Sequence, residues 1–239
     1  MTMGEISMNG CKLLRNYDPE MPSAIEFRRL YSRLRYKLEG KPLSPLMVTS
    51  SKHEEGKTTT AAFLAVTVAR QEGGRVLLVD MDLHRPQVHH MFSLPLDPGV
   101  SEIFQGRETI ERATRETGLP GLHVVTSGSM VRHPSALFEP ERIREFLREV
   151  SSRFDLVILD APPLLPVTDT MVLSMEVAAV LFVIMAGKTP RDVVTRGKEI
   201  LRDVNAPLAG VVINNSKGVL PYYYNYKYYG YGKPKPPKP

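Results

Sequence analysis

The sequence predicts an α/β fold, a doubly wound and mostly parallel sheet with helices on both faces. Three observations predict it. Short continuous apolar runs recur along the chain, stretches of helical spacing separate them, and the first run leads straight into a Gly-Lys-Thr sequence that opens a helix. Continuous β-branched runs lack the alternation of a strand with one wet face, so both faces are buried, as in parallel strands joined by crossover helices. Ligands of such sheets gather at the carboxyl ends of the strands, which is where chemistry is expected.

The first 21 residues read as an N-terminal extension. Residues 22 to 39 have helical spacing, opening at Pro22, with Ile25, Phe27, Leu30, Leu34 and Leu38 at apolar positions and Gly40 at the end. Strands are expected at Leu46 to Thr49, Val76 to Val79, Leu122 to Val125, Leu156 to Leu159, Ala178 to Met185 and Leu208 to Ile213. Between them helices are expected near 57 to 71, 86 to 93, 134 to 150, 168 to 175 and 190 to 204. The domain therefore spans 22–216, and residues 217–239 form a flexible tail whose Tyr, Gly, Lys and Pro cannot build a core.

A chain of 239 residues with 42% hydrophobic composition fits one large α/β domain with tails. The single cysteine, Cys11, rules out an internal disulfide and suits a reducing compartment. The N-terminus lacks a secretory pattern, and the longest apolar run, Val177 to Ala186, falls short of the roughly 20 residues that cross a bilayer. A cytoplasmic protein is expected. Net charge is +5, and Lys217, Lys227, Lys233, Lys235 and Lys238 account for it, so the domain itself is balanced. With no second basic footprint on the domain, nucleic acid is not the expected partner.

Residues Met47 to Thr59 read as strand, loop and helix start. Gly56 lets the backbone approach a phosphate, Lys57 reaches its oxygens, and the Thr58 hydroxyl suits Mg²⁺, while Ser51, Glu55 and Thr59 complete the loop. Ser51 stands where the standard P-loop has its first glycine. Downstream, Leu77-Leu78-Val79-Asp80-Met81-Asp82 ends an apolar strand in two carboxylates, and Val157-Ile158-Leu159-Asp160 ends another in one, the Walker B arrangement. Three acids behind a Gly-Lys-Thr loop predict a Mg-nucleotide site in a P-loop NTPase.

The order P-loop, then LLVDMDLHRP, then VILDAPP resembles the bacterial tyrosine kinase family, which uses a deviant Walker fold shared with chromosome-partitioning and septum-positioning ATPases. The resemblance covers roughly residues 23 to 231, supported by Gly99 to Gly106, His133 to Leu137, Pro163 to Asp169 and Gly210 to Asn215. It implies ATP and Mg²⁺ as cofactors, with Asn214 near the adenine. It further implies Lys57, Asp80 and Asp82 as catalytic residues, and Thr58, Asp82 and Asp160 around the metal. Asp80 is the leading base and Asp82 its alternative. Two departures stand out. Glu54 occupies a position where many relatives have Gly, which predicts backbone strain or weakened triphosphate binding. The family's Glu-x-x-Arg-x-x-Arg oligomer motif is met by Glu26 and Arg29, with Ser32 in the third position and Arg33 after it.

Seven tyrosines (Tyr222, Tyr223, Tyr224, Tyr226, Tyr228, Tyr229 and Tyr231) crowd ten residues of the tail, with no period that could bury their rings. They are the expected phosphoacceptors, and the resemblance implies that one subunit modifies its neighbour. Resemblance also implies a homo-oligomeric ring, a membrane adaptor of the polysaccharide copolymerase type that recruits the kinase to the inner face of the membrane, a cognate tyrosine phosphatase, further protein substrates, and a role in capsule or exopolysaccharide export. The competing readings are a partitioning-type ATPase, in which hydrolysis switches dimerisation and membrane or DNA association, and a degenerate nucleotide-binding regulator.

Overall fold

Seven strands form one sheet in a computed structural model that describes residues 11–15, 17–38 and 40–215. They are β1 (Leu46–Ser50), β2 (Val76–Asp80), β3 (Thr114–Glu116), β4 (Leu122–Val125), β5 (Leu156–Asp160), β6 (Ala179–Met185) and β7 (Leu208–Asn214), in the order β3-β4-β2-β5-β1-β6-β7. All neighbours are parallel except β3, which runs antiparallel to β4 at one edge. The six expected strands are present. The seventh, Thr-Arg-Glu, carries no apolar signal, and it exists only because its backbone pairs with β4.

Alternation along the central strands sends side chains into two separate cores. Leu46, Val48, Val76 and Leu78 face one, and Met47, Leu77 and Val79 face the other. The first core is covered by α2 (Pro22–Lys37) and α3 (Lys57–Glu72), preceded in the chain by the short α1 (Lys12–Arg15). Cys11, Leu14 and Tyr17 are buried there, with Tyr17 Oη 2.9 Å from Thr67 Oγ1, so packed structure starts before the boundary read at residue 22. Pro22 sits in the first turn of α2, where its missing N–H costs nothing, and α3 stops at Gly73, whose φ of 62° is the left-handed stop.

After α4 (Val88–Phe92), the short helices α5 (Val100–Phe104) and α6 (Ile110–Ala113) lead into β3, and neither is long enough to carry a periodic signal. The second core is covered by these two, α7 (Pro140–Arg153), α8 (Asp169–Met175) and α9 (Arg191–Asp203). A helix was expected from 134. A 3₁₀ turn occupies Pro134–Leu137 instead, and α7 begins at Pro140, because a proline is at home in a first turn and breaks a helix interior. On the same face α9 passes so close to the sheet that a Cβ on Gly197 would lie 2.7 Å from the Phe182 ring. Phe182 is wholly buried, and truncating such a ring costs about 3–5 kcal/mol. Among the described residues no helix is long and apolar enough to cross a membrane.

Candidate active site

β1, β2 and β5 lie side by side, in the order β2-β5-β1, and bring their carboxyl ends to one place. The loop after β1 runs from Ser51 to Gly56. Glu54 there has φ 64° and Gly56 φ 92°, so the position expected to strain a glutamate does adopt the left-handed conformation. The loop is braced from within by Glu55: its Oε2 accepts from the Lys52 N–H at 2.9 Å, and its Oε1 accepts from the Thr189 hydroxyl. Asn214, at the end of β7, donates from Nδ2 to the Glu55 carbonyl at 3.0 Å. The turn role belongs to Asn215, which has φ 56°.

Lys57, the first residue of α3, folds back under the loop. Its Nζ is 2.9 Å from Asp82 Oδ2, 3.4 Å from Asp160 Oδ1 and 3.3 Å from Thr58 Oγ1. Burial works against the ammonium, but the Asp160 and Asp82 charges outweigh it and raise its pKa. For Asp160 burial dominates and pushes the carboxyl up, with Lys57 pulling the other way.

Asp80 and Asp82 have different surroundings. Asp80 is fully buried, and its oxygens accept from the backbone N–H groups of Asp82 at 3.1 Å, Gln87 at 3.1 Å and Val88 at 3.0 Å. Burial first, then the charge of Asp160, pushes its pKa up to about 8 despite those donors. Asp82 turns Oδ1 to the Arg85 N–H at 2.9 Å and Oδ2 to Lys57. The rest of the Walker B loop is pinned by Pro162, whose carbonyl accepts from Thr49 at 2.7 Å and Thr170 at 2.9 Å.

The donor set suits a magnesium ion. Asp160 Oδ2 is buried with no hydrogen-bond partner, and Asp82 Oδ2 has only Lys57. No group of three or more His, Cys, Asp or Glu is arranged to hold a metal among the described residues. Mg²⁺ does not need one, since it keeps several waters and binds through one or two carboxylates plus phosphate oxygens.

Lys57, Thr58, Asp80, Asp82, Asp160, Glu55, Gly56 and Asn214 thus converge. The buried Ser51 hydroxyl has no partner and lies toward Gly197 of α9, which leaves the residue's backbone for any phosphate contact. Thr59 is exposed on α3. Glu26 and Arg29 pair with each other at 2.6 Å on α2, outside this cluster, with Arg33 exposed on the same helix. All seven tail tyrosines lie outside the described residues. Two contributors were missed. Thr189 braces Glu55 from 134 residues away, and His84 Nε2 meets Asp169 Oδ2 at 3.0 Å, tying the loop after β2 to α8. His84 lies inside the LLVDMDLHRP motif and could have been singled out; nothing in the sequence pairs 189 with 55.

Residues 46–189 match the AAA domain family. Tyrosine-protein kinase YwqD of Bacillus subtilis is 32% identical over 212 residues, which cover 87% of this chain and 89% of that protein. Among solved structures, the chimerical protein CapA2B2 superposes with a TM-score of 0.79 at 30% identity, covering 84% of this chain and 88% of the other. The kinase domain of Escherichia coli tyrosine kinase ETK gives 0.74 at 28% identity, covering 93% and 92%. These similarities extend over the P-loop, both acidic strand ends and nearly the whole sheet, and the chain belongs to the family of bacterial tyrosine-protein kinases.

Proposed function

We propose that this protein-tyrosine kinase transfers the γ-phosphoryl group of ATP to tyrosines 222 to 231 of a neighbouring copy's tail. The observation that carries the proposal is Lys57, held against Asp82 and Asp160 at the mouth of a P-loop in a chain that ends in seven clustered tyrosines. Phosphoryl transfer needs in-line positioning and neutralised charge more than covalent help. Lys57 and the amides opening α3 supply both to the phosphates. Thr58 and Asp160, with Asp82 beside Lys57, would hold Mg²⁺, which supplies charge neutralisation when bound.

The phenol must give up a proton, and geometry ranks ahead of pKa in choosing its acceptor. Asp80, the leading base on sequence grounds, spends its oxygens on three backbone amides. Asp82 is the acid turned toward Lys57, and we assign it as proton acceptor, with Asp80 holding its backbone in place. The nucleotide-switch reading is not favoured, because the relatives spanning the domain are kinases.

The finer reading includes assembly through Glu26, Arg29 and Arg33 of α2, recruitment by a membrane adaptor, reversal by a phosphatase, and control of capsule or exopolysaccharide export. Each phosphate adds about −1.5 to −2 charges, so three cancel the tail's lysines and more reverse them, which turns tail docking into repulsion. The test is intact mass after Mg-ATP, beside Lys57→Met and a chain truncated at Pro221. Phosphate steps in the parent, none in Lys57→Met, and the loss of the tail's steps from the truncated chain are expected. Phosphate retained on the truncated chain at the parent's level would overturn the tail as acceptor.

A further inference from the structure

We propose that Tyr36 is a second phosphoacceptor, within the folded domain, and that only another copy of this chain reaches it. The inference rests on the kinase reading above.

The chain has ten tyrosines, seven of them in the tail. Of the three in the domain, Tyr17 is 8% exposed with its hydroxyl against Thr67, and Tyr31 is 8% exposed beneath the Arg35 guanidinium. Tyr36 is 81% exposed, and among the described residues its hydroxyl makes no hydrogen bond. It is the one domain tyrosine that presents its phenol to an incoming active site. It also sits in the last turn of α2, which ends within a few residues at Gly40 with φ 75°. Leu38 beside it packs on the core and Lys37 is tied to β7, so the phenol is presented from an ordered helix end.

Neighbouring charge favours the modified state. Arg33, three residues earlier on the same helix, is exposed and has no ion pair among the described residues, whereas Arg29 and Arg35 are taken by Glu26 and Glu72. Residues three apart on a helix are neighbours, so a phosphate on Tyr36 finds a guanidinium that no acid among the described residues of its own chain holds.

Position excludes self-modification. Lys37 donates to the Ala209 carbonyl at 2.7 Å, which fixes the end of α2 at the start of β7. The P-loop contact is Asn214, at the opposite end of that strand. Five residues of strand separate the two by about 17 Å. The phenol oxygen of Tyr36 would attack the γ-phosphorus in the partner's site; the O–P bond forms, the β,γ-bridging P–O bond breaks, ADP leaves, and the phenol proton passes to Asp82 of that copy and on to solvent.

The test uses the full chain. After incubation with Mg-ATP, cleavage after glutamates releases the peptide Phe27 to Glu39, and fragmentation distinguishes Tyr31 from Tyr36 while the tail is mapped in the same sample. Expected are phosphate on Tyr36 and none on Tyr31, phosphate on Tyr36 of a Lys57→Met copy mixed with an active Tyr36→Phe copy, and loss of this mark in Tyr36→Phe alone with tail modification unchanged. A phosphorylated tail beside a bare Tyr36 overturns the inference and leaves the kinase reading standing. A bare Tyr36 on the Lys57→Met copy of that mixture, beside a marked Tyr36 in the parent, overturns the requirement for a second copy. No phosphate anywhere on the chain overturns the tail reading, and the inference falls with it.

Discussion

The side-chain amide of Asn214 occupies the space that a Cβ on Gly56 would need: the two atoms would lie 2.0 Å apart. Gly56 also has φ 92°, where an L-residue is strained whatever the space around it. Gly56→Ala should therefore open the P-loop, weakening ATP binding at least tenfold and stability by about 1–3 kcal/mol. Asn214→Ala alone removes one hydrogen bond and should cost about 1 kcal/mol. The double variant should be less impaired than the two effects summed, because the second change removes the clash. ATP titration and thermal unfolding of all three variants measure the coupling, and strict additivity would refute it.

Asp80 makes stability depend on pH. Its folded pKa of about 8 lies above the ordinary carboxyl value of 3.8, so between these limits the native state holds a proton that the unfolded chain releases. The resulting stabilisation is complete below the lower limit and is lost as pH rises through the upper one. Nucleotide-free protein should unfold at lower temperature as pH is raised from 5 to 8.5, and Asp80→Asn should flatten the slope. Asp160 is also shifted upward, so some slope remains. An unaltered slope in Asp80→Asn would contradict the assignment. Asp82→Asn should keep the slope and lose phosphoryl transfer.

Lys57→Met leaves Asp82 and Asp160 without their cation in a dry interior. Removing one partner of a buried pair costs about 3–5 kcal/mol. The deficit should shrink in acid, where protonated carboxyls need no counter-charge. Denaturant titrations at pH 5 and pH 8 compare the two conditions, and kinase activity should be lost at both.

Glu102 joins α5 to the loop after β4, accepting from the Gly99 N–H at 2.8 Å and the Ser129 N–H at 3.1 Å. Burial opposes its charge, but these donors prevail and hold its pKa below the ordinary carboxylate range. A depressed carboxyl stabilises the fold above its unfolded pKa, and that contribution fades as pH falls through the folded one. Glu102→Gln should cost about 1 kcal/mol at pH 7, with the difference closing under acid conditions. Chemical denaturation across that range tests it.

Parallel strands were legible because both of their faces are buried, so each apolar run is its own signal, and Asp80 and Asp160 were visible as the first charge after such a run. β3 was invisible because its three residues, Thr-Arg-Glu, contain no apolar run, and its strand character comes from backbone pairing with β4. Cys11, Leu14 and Tyr17 were assigned to an extension because a four-residue helix has no period to read. In the site, residue types were legible and orientations were not. Asp80 and Asp82 stand two apart, and extended geometry continued through both would put them on one side. The chain leaves the strand after Asp80, so one acid turns into amides and the other toward Lys57.

The Lys57 ammonium against Asp82 and Asp160 also acts as a tethered competitor. A free divalent ion would have to displace a cation that cannot diffuse away, whereas a triphosphate would draw the same ammonium toward itself and uncover the acids. Such a tether would favour magnesium arriving with nucleotide over magnesium alone, through the reach of one side chain.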